Sequence, residues 1–360
     1  MPELMLTGSI RLFFLYDVAE AIRLADVRPR MDESGAQGPP FRSSRREFAA
    51  IARPPVEEPV PSIRTDTGEE FQARLSYFEW GVVSLELILP WSGFWRDLES
   101  TALRSISNAD IEGRAEQFLK GHLEQRRAAF DRPYSNWLSE DYAVVQIDSV
   151  VSLSAAELLS QRGPAIARMV RVEPGDLSIE EQSEVLQSRL SYSPTDLLVA
   201  AWTATFLYDT PAGAASTLEL IEYANTQLLN LRHYDERLTA ELARVYDGLG
   251  KRRDLLARWR LVREAERLNR TLLEVRELNE RMDNAVKFLS DMFAARVYRL
   301  VAARVGVADY RRLVEDKLRT AGELYHFMVD QFHHGRAFVL ELMVVIILII
   351  DLYLLLAGNH

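Results

Sequence analysis

Six histidines, no cysteine and an excess of carboxylates are the side chains with which this chain could do chemistry. Without cysteine there are no disulfides, thiolate metal sites or thiol nucleophiles, a composition that fits a reducing compartment. The histidines stand at His122, His233, His326, His333, His334 and His360, and none has a second ligand at metal-binding spacing. His333 and His334 are adjacent, so on a helix they point about 100° apart and share no site. The chain lacks GxxxxGK[ST] for a phosphate cradle, GxGxxG after a strand for a dinucleotide, HExxH for zinc and GxSxG for an acyl-transfer serine. Glu79, Glu86 and Asp97 are acids that spacing alone does not pair into a general acid and base. Trp80, Trp91, Phe94 and Trp95 could line a pocket, but core packing or contact with a membrane edge explains such a run more simply. The expectation is a non-enzyme, with no catalytic residue, no cofactor and no metal ligand.

Charge points to partners instead. The formal net charge is -10, yet residues 251–336 hold 19 Lys+Arg against 13 Asp+Glu. An acidic head on a basic segment argues against DNA as a partner, whereas Lys251, Arg252, Arg253, Arg258 and Arg260 could meet RNA, a ribosome or anionic lipid. The plainer account is that these are ordinary solvated helix faces.

These residues need elements to carry them. From Leu261 the seam Leu261, Ala265, Leu268, Leu272, Val275, Asn279, Met282, Val286, Leu289, Phe293 alternates steps of four and three, the spacing of a coiled coil or helical hairpin. Asn279 is its one polar member and could fix register between copies. The beat resumes after Gly306 with Val314, Leu318, Ala321, Tyr325, Met328 and Phe332, so pairing within one chain and between chains both remain open. From Ala337 to Ala357 runs AFVLELMVVIILIIDLYLLLA, about 21 residues, the length of one transmembrane helix. Arg336 on its N-terminal side leaves the head cytoplasmic by the positive-inside rule, and the N-terminus reads as neither a secretory signal nor a transit peptide. An acid in a bilayer costs roughly 2.5 to 3.5 kcal/mol. Glu341 and Asp351 are accordingly expected to reach a headgroup region or a neighbouring helix.

Upstream, SIRLFFLY (residues 9–16) reads as a strand followed by a short helix at Asp17 to Leu24, and RPPVEEPVP (53–61) as linker. LSYFEWGVVSLELILP (75–90) reads as a strand pair or one strand bent at Gly81. Helices are expected near 93–105, 110–130 and 178–189, and strands at 142–151 and 197–208. The fold expected is α+β: a mixed head over residues 1–235, a helical coiled-coil stalk over 236–336 and one C-terminal transmembrane anchor over 337–357.

WTATFLYDTPAGAASTLELIEYANTQLLNLRHYDERLTAELARVYD, Trp202 to Asp247, with the LNERM stretch at Leu278 to Met282 and the acid-flanked apolar tail, resembles the C-terminal half of the required-for-meiotic-nuclear-division family. That resemblance implies a membrane-tethered, self-associating protein, with relatives that support organellar translation, and it carries over no catalytic residue. The functional expectation is a homo-oligomeric, non-enzymatic scaffold on membrane lipid at a bacterial inner membrane. The alternatives are a ribosome- or RNA-tethering factor supporting translation, and an anchored enzyme or ligand-binding head.

Overall fold

The computed structural model describes residues 5–27, 54–66, 68–150, 153–250, 263, 266–277 and 292–357, with side chains of the last helix described to residue 329 and over 343–349. Two compact units divide them, the first within Met1–His233 and Glu280–Tyr310, the second within Tyr234–Asn279 and Arg311–His360.

The first unit is built on one eight-stranded sheet in the order β2-β3-β4-β1-β5-β8-β7-β6. Its strands are β1 (Leu6–Ile22), β2 (Val56–Arg64), β3 (Glu70–Tyr77), β4 (Val82–Gly93), β5 (Phe130–Asp148), β6 (Arg189–Leu190), β7 (Leu197–Ala200) and β8 (Ala204–Asp209). All neighbours run antiparallel except β5 and β8. Alternate side chains of a strand face opposite ways. On β1, Ile10, Leu12, Phe14 and Tyr16 enter an apolar core with Leu75, Leu85, Val145 and Phe206 from the neighbouring strands. That core is closed by Leu98 of α1 (Trp95–Ile106), Ile111 and Leu119 of α2 (Ala109–Glu124), Ile166 of α3 (Ala155–Arg171) and Val185 of α4 (Ile179–Gln187). The opposite face receives residues 211–233 of α5 (Pro211–Gly250) and α6 (Met292–Arg304), through Trp80 against Tyr223 at 5.7 Å and Tyr223 against Tyr298 at 6.0 Å.

Several local expectations give way to tertiary context. Residues 17–22 continue β1 rather than turning helical, because β5 pairs with them past a register shift between Asp17 and Ala19. The proline-rich 56–64 is a strand, tolerable because β2 is the sheet edge and Pro59 and Pro61 need donate to no further neighbour. Residues 197–208 are two antiparallel strands, and helix α3, opened by a Ser154/Glu157 capping box, was not expected.

In the second unit the later part of α5, helical residues 266–277 and α7 (Val307–Ala357) pack together. Leu268, Leu272, Val275, Val314, Leu318, Ala321 and Met328 of the two seams are all buried within this one chain. Lys317 reaches Asp235 at 2.6 Å and Arg237 reaches Glu274 at 2.6 Å across them.

The expected membrane anchor is not supported. Among the described residues no helix is long and apolar enough to cross a membrane. The architecture is therefore a mixed α+β chain, and the transmembrane, tail-anchored and single-pass inner-membrane assignments are withdrawn.

Gly81 tests the β3–β4 hairpin. It sits at φ +89°, and a Cβ there would run into the Ala19 carbonyl oxygen. Gly81→Ala should lower the urea midpoint by an amount equivalent to about 2 kcal/mol or more. An unchanged midpoint would mean that β1 and this turn do not meet as described.

Candidate functional site

Between the sheet and α5 lies a charged cluster centred on one carboxylate shielded from water. Glu86 of β4 is wholly buried and takes Arg11 Nη1 of β1 at 2.7 Å and Arg74 Nη2 of β3 at 2.6 Å. Arg74 also reaches Glu57 of β2 at 3.2 Å, and Arg11 Nε donates to Ser9 Oγ at 3.0 Å and Gln146 Oε1 at 3.1 Å. Four neighbouring strands thus each contribute to one ionic chain. Arg74 and Glu86 are directly opposed in the β3–β4 register, the cross-strand position at which opposite charges meet most closely.

Two carboxyls in this cluster behave oppositely. Burial pushes Glu86 up, but the charges of Arg74 and Arg11 and their hydrogen bonds outweigh it and hold the carboxyl below its ordinary value. Glu222 of α5 is also wholly buried and is pushed up to about 7, first by burial. Arg74 and the Ser84 hydroxyl draw it back, while the charges of Glu86 and Glu57 add to the rise. The difference is direct contact: Glu86 touches two guanidinium groups already committed to it, and Glu222 lies behind them.

Two further clusters flank it. Glu58, the next residue along β2, points to the other face and accepts hydrogen bonds from Tyr77 Oη at 2.9 Å and from Arg126, with His122 Nε2 at 3.2 Å. Burial raises its pKa, yet the bonds from His122 and Tyr77 and the charges of His122 and Arg126 hold it below its usual value. At the β1 irregularity, Asp17 meets His233 Nδ1 at 2.7 Å under a stacked Tyr134 ring at 4.9 Å. Among the described residues no group of three or more His, Asp or Glu could hold a metal ion. What these arrangements do chemically is hold charge in fixed pairs.

Of the residues singled out from the sequence, Asn279, Lys251, Arg252, Arg253, Arg258 and Arg260 lie outside the described residues, as do the side chains of Glu341 and Asp351. Arg11, Glu57, Arg74 and Glu222 were not singled out. The signal for the first three was a charge at an inward position of a strand that is otherwise apolar or edge-like, as in SIRLFF.

The fold and cluster define an α+β protein with an ionic layer between sheet and helix. Residues 7–215 match the family described as "Uncharacterized protein MJ0711, N-terminal domain", and the chain belongs to that family. An uncharacterized protein of Methanocaldococcus jannaschii is 21% identical over 192 residues, covering 53% of this chain and 59% of that protein. The chain thus spans less than two thirds of that relative's length. No solved structure matches. The resemblance to the required-for-meiotic-nuclear-division family is overturned: the match lies over the N-terminal strands and helices, whereas that likeness rested on the long helix and the tail, whose amphipathic pattern recurs in unrelated helices.

The cluster predicts its own pH dependence. A carboxyl whose folded pKa of about 7 exceeds its ordinary 4.5 holds a proton in the folded state that the unfolded chain has released. Stability from Glu222 is therefore full at low pH and falls as pH rises from about 4.5 to about 7. Glu222→Gln should flatten that slope and be the more stable protein at pH 8 by urea titration. Glu86→Gln should instead cost about 3 kcal/mol at pH 7, by leaving two largely shielded guanidinium groups without the acid they share. Equal slopes for wild type and Glu222→Gln would place the titration elsewhere.

Proposed function

We propose that the protein is a non-enzymatic scaffold that associates with copies of itself, the first unit serving as a platform and the far part of α7 as the contact. One observation carries this: Met343, Val344, Val345, Ile346, Ile347, Leu348 and Ile349 are consecutive, all apolar, and each 47–60% exposed. At about 100° per residue they cover every side of the helix. A helix apolar all round must be covered by something. The run carries no charge with which to select an ionic partner, and a second identical run buries both at once in an isologous contact. The seam residues Leu268, Leu272, Val275, Val314, Leu318, Ala321 and Met328 are already buried within the chain, whereas this run is not. The internal pairing of Arg11, Arg74, Glu57 and Glu86 supports a platform role, because charges committed to one another are not free to act on a substrate.

Light scattering of the intact protein should give a discrete multiple of 41.1 kDa. Ile347→Lys should shift it to the monomer while circular dichroism stays the same. A monomer for the unaltered protein at micromolar concentration, or a polydisperse aggregate with no defined mass, would overturn the proposal.

A further inference from the structure

The seam between α5 and the sheet does not balance its charge. Arg11 of β1 and Arg74 of β3 bring two guanidinium groups, and Glu86 of β4 and Glu57 of β2 engage both in direct ion pairs. Glu222 of α5 is a third carboxyl beside them, 2% exposed, and it forms no ion pair among the described residues. The other titratable groups on this side bring it no cation. Tyr142 of β5 is hydrogen bonded to Thr205 and the Ala201 carbonyl, Tyr223 and Tyr298 are joined through Gln227, and Glu219, one turn earlier on α5, is a further buried acid. A carboxyl taken from water without a cation of its own stays neutral rather than ionised. Ionising Glu222 would set a third negative charge beside Glu86 and Glu57, with two positive charges to share among them.

The same seam is loosely held by its polar groups. Ser76 stands opposite Ser84 in the β3–β4 register, on the strand face that carries Arg74 and Glu86. Its hydroxyl, Glu222 Oε1 and Asn225 Oδ1 are all buried without a hydrogen-bond partner among the described residues. Each such group costs stability that water entering the seam would restore. The two ends of this stretch of α5 are fastened in other ways. Its start follows directly on β8, and at its far end Arg232 pairs with Glu140 while His233 meets Asp17 at 2.7 Å. The middle turns, Thr217 to Leu228, are the part left to the seam. We propose that this seam is a pH-sensitive latch, closed while Glu222 holds its proton and opened over the middle turns of α5 when that proton leaves, with the strands remaining paired. The latch lies within the first unit and does not depend on self-association through α7.

Hydrogen exchange of the intact protein at pH 5 and pH 7, corrected for the intrinsic rate and read by mass spectrometry, tests it. In the open seam Glu222 returns from about 7 to its ordinary 4.5, so opening releases a proton and is favoured as pH rises through that interval. Protection of residues 217–228 should therefore fall about thirtyfold from pH 5 to pH 7. It should also lie below that of β1 and β5 and be indifferent to low urea, because a local opening exposes little surface. Glu222→Gln should abolish the pH dependence. Glu57→Gln should shrink it, by releasing Arg74 toward Glu222. Exchange of 217–228 with the same protection and urea dependence as β1 would mean that only global unfolding parts the seam, and would overturn the proposal. Protection in the unaltered protein that ignores pH, or a pH dependence that survives in Glu222→Gln, would overturn it equally.

Discussion

Glu86 stands without water near the middle of an eight-stranded sheet, and an ion so placed persists only when its desolvation is offset by partners in good geometry. Its two partners come from the strands on either side of β4, Arg11 on β1 and Arg74 on β3. Their positions fix how those strands align. A slip of one residue would turn Glu86 toward the face occupied by Leu85 and Leu87, where no guanidinium waits. An apolar core of leucines and valines tolerates neighbours of similar size, so it is a weaker guide to register than this pair. The edge strand follows from the same constraint: Glu57 completes the Arg74 guanidinium, giving β2 a polar reason to pair where its prolines weaken the backbone case.

The two faces of the sheet divide the labour accordingly. The face under α1 to α4 is closed by aliphatic and aromatic packing and asks little of its covering helices beyond an apolar stripe. The face under α5 asks more. Thr217, Glu219, Glu222, Asn225, Thr226, Gln227 and Asn230 are all buried, interleaved with Leu220, Ile221, Ala224 and Leu228. Several are satisfied within the helix layer itself: Asn225 donates to the Ile221 carbonyl at 2.9 Å, Gln227 donates to Tyr223 Oη at 3.1 Å, and Tyr298 donates to Gln227. A helix polar and apolar on buried sides alike shows neither a surface nor a simple core pattern, so periodicity alone undervalues it.

That is why the sequence disclosed the fold unevenly. Alternation and β-branched runs made β3, β4 and the buried half of β5 readable, and the caps and apolar spacing made α1, α2 and α4 readable. β2 was hidden because prolines mark linkers in a local reading, whereas only the order of strands reveals that it is an edge. The helical turn expected at Asp17 lost to pairing with a strand more than a hundred residues away. The ionic cluster was legible only one residue at a time: Arg11, Glu57, Arg74 and Glu86 are spread over four strands, and no spacing along the chain announces that they meet. The membrane assignment erred differently, by taking composition over 337–357 as sufficient where the described residues contain no spanning helix.

The same side chain thus plays opposite parts according to the water around it. Glu86 is ionised because two arginines replace its hydration, and in doing so they are spent on the fold. Glu222 has no guanidinium of its own and holds its proton up to about pH 7, so the layer loses stability as the medium becomes neutral. The charges of this layer are thus closed on one another, and what they supply is the register of the strands and a stability that depends on pH.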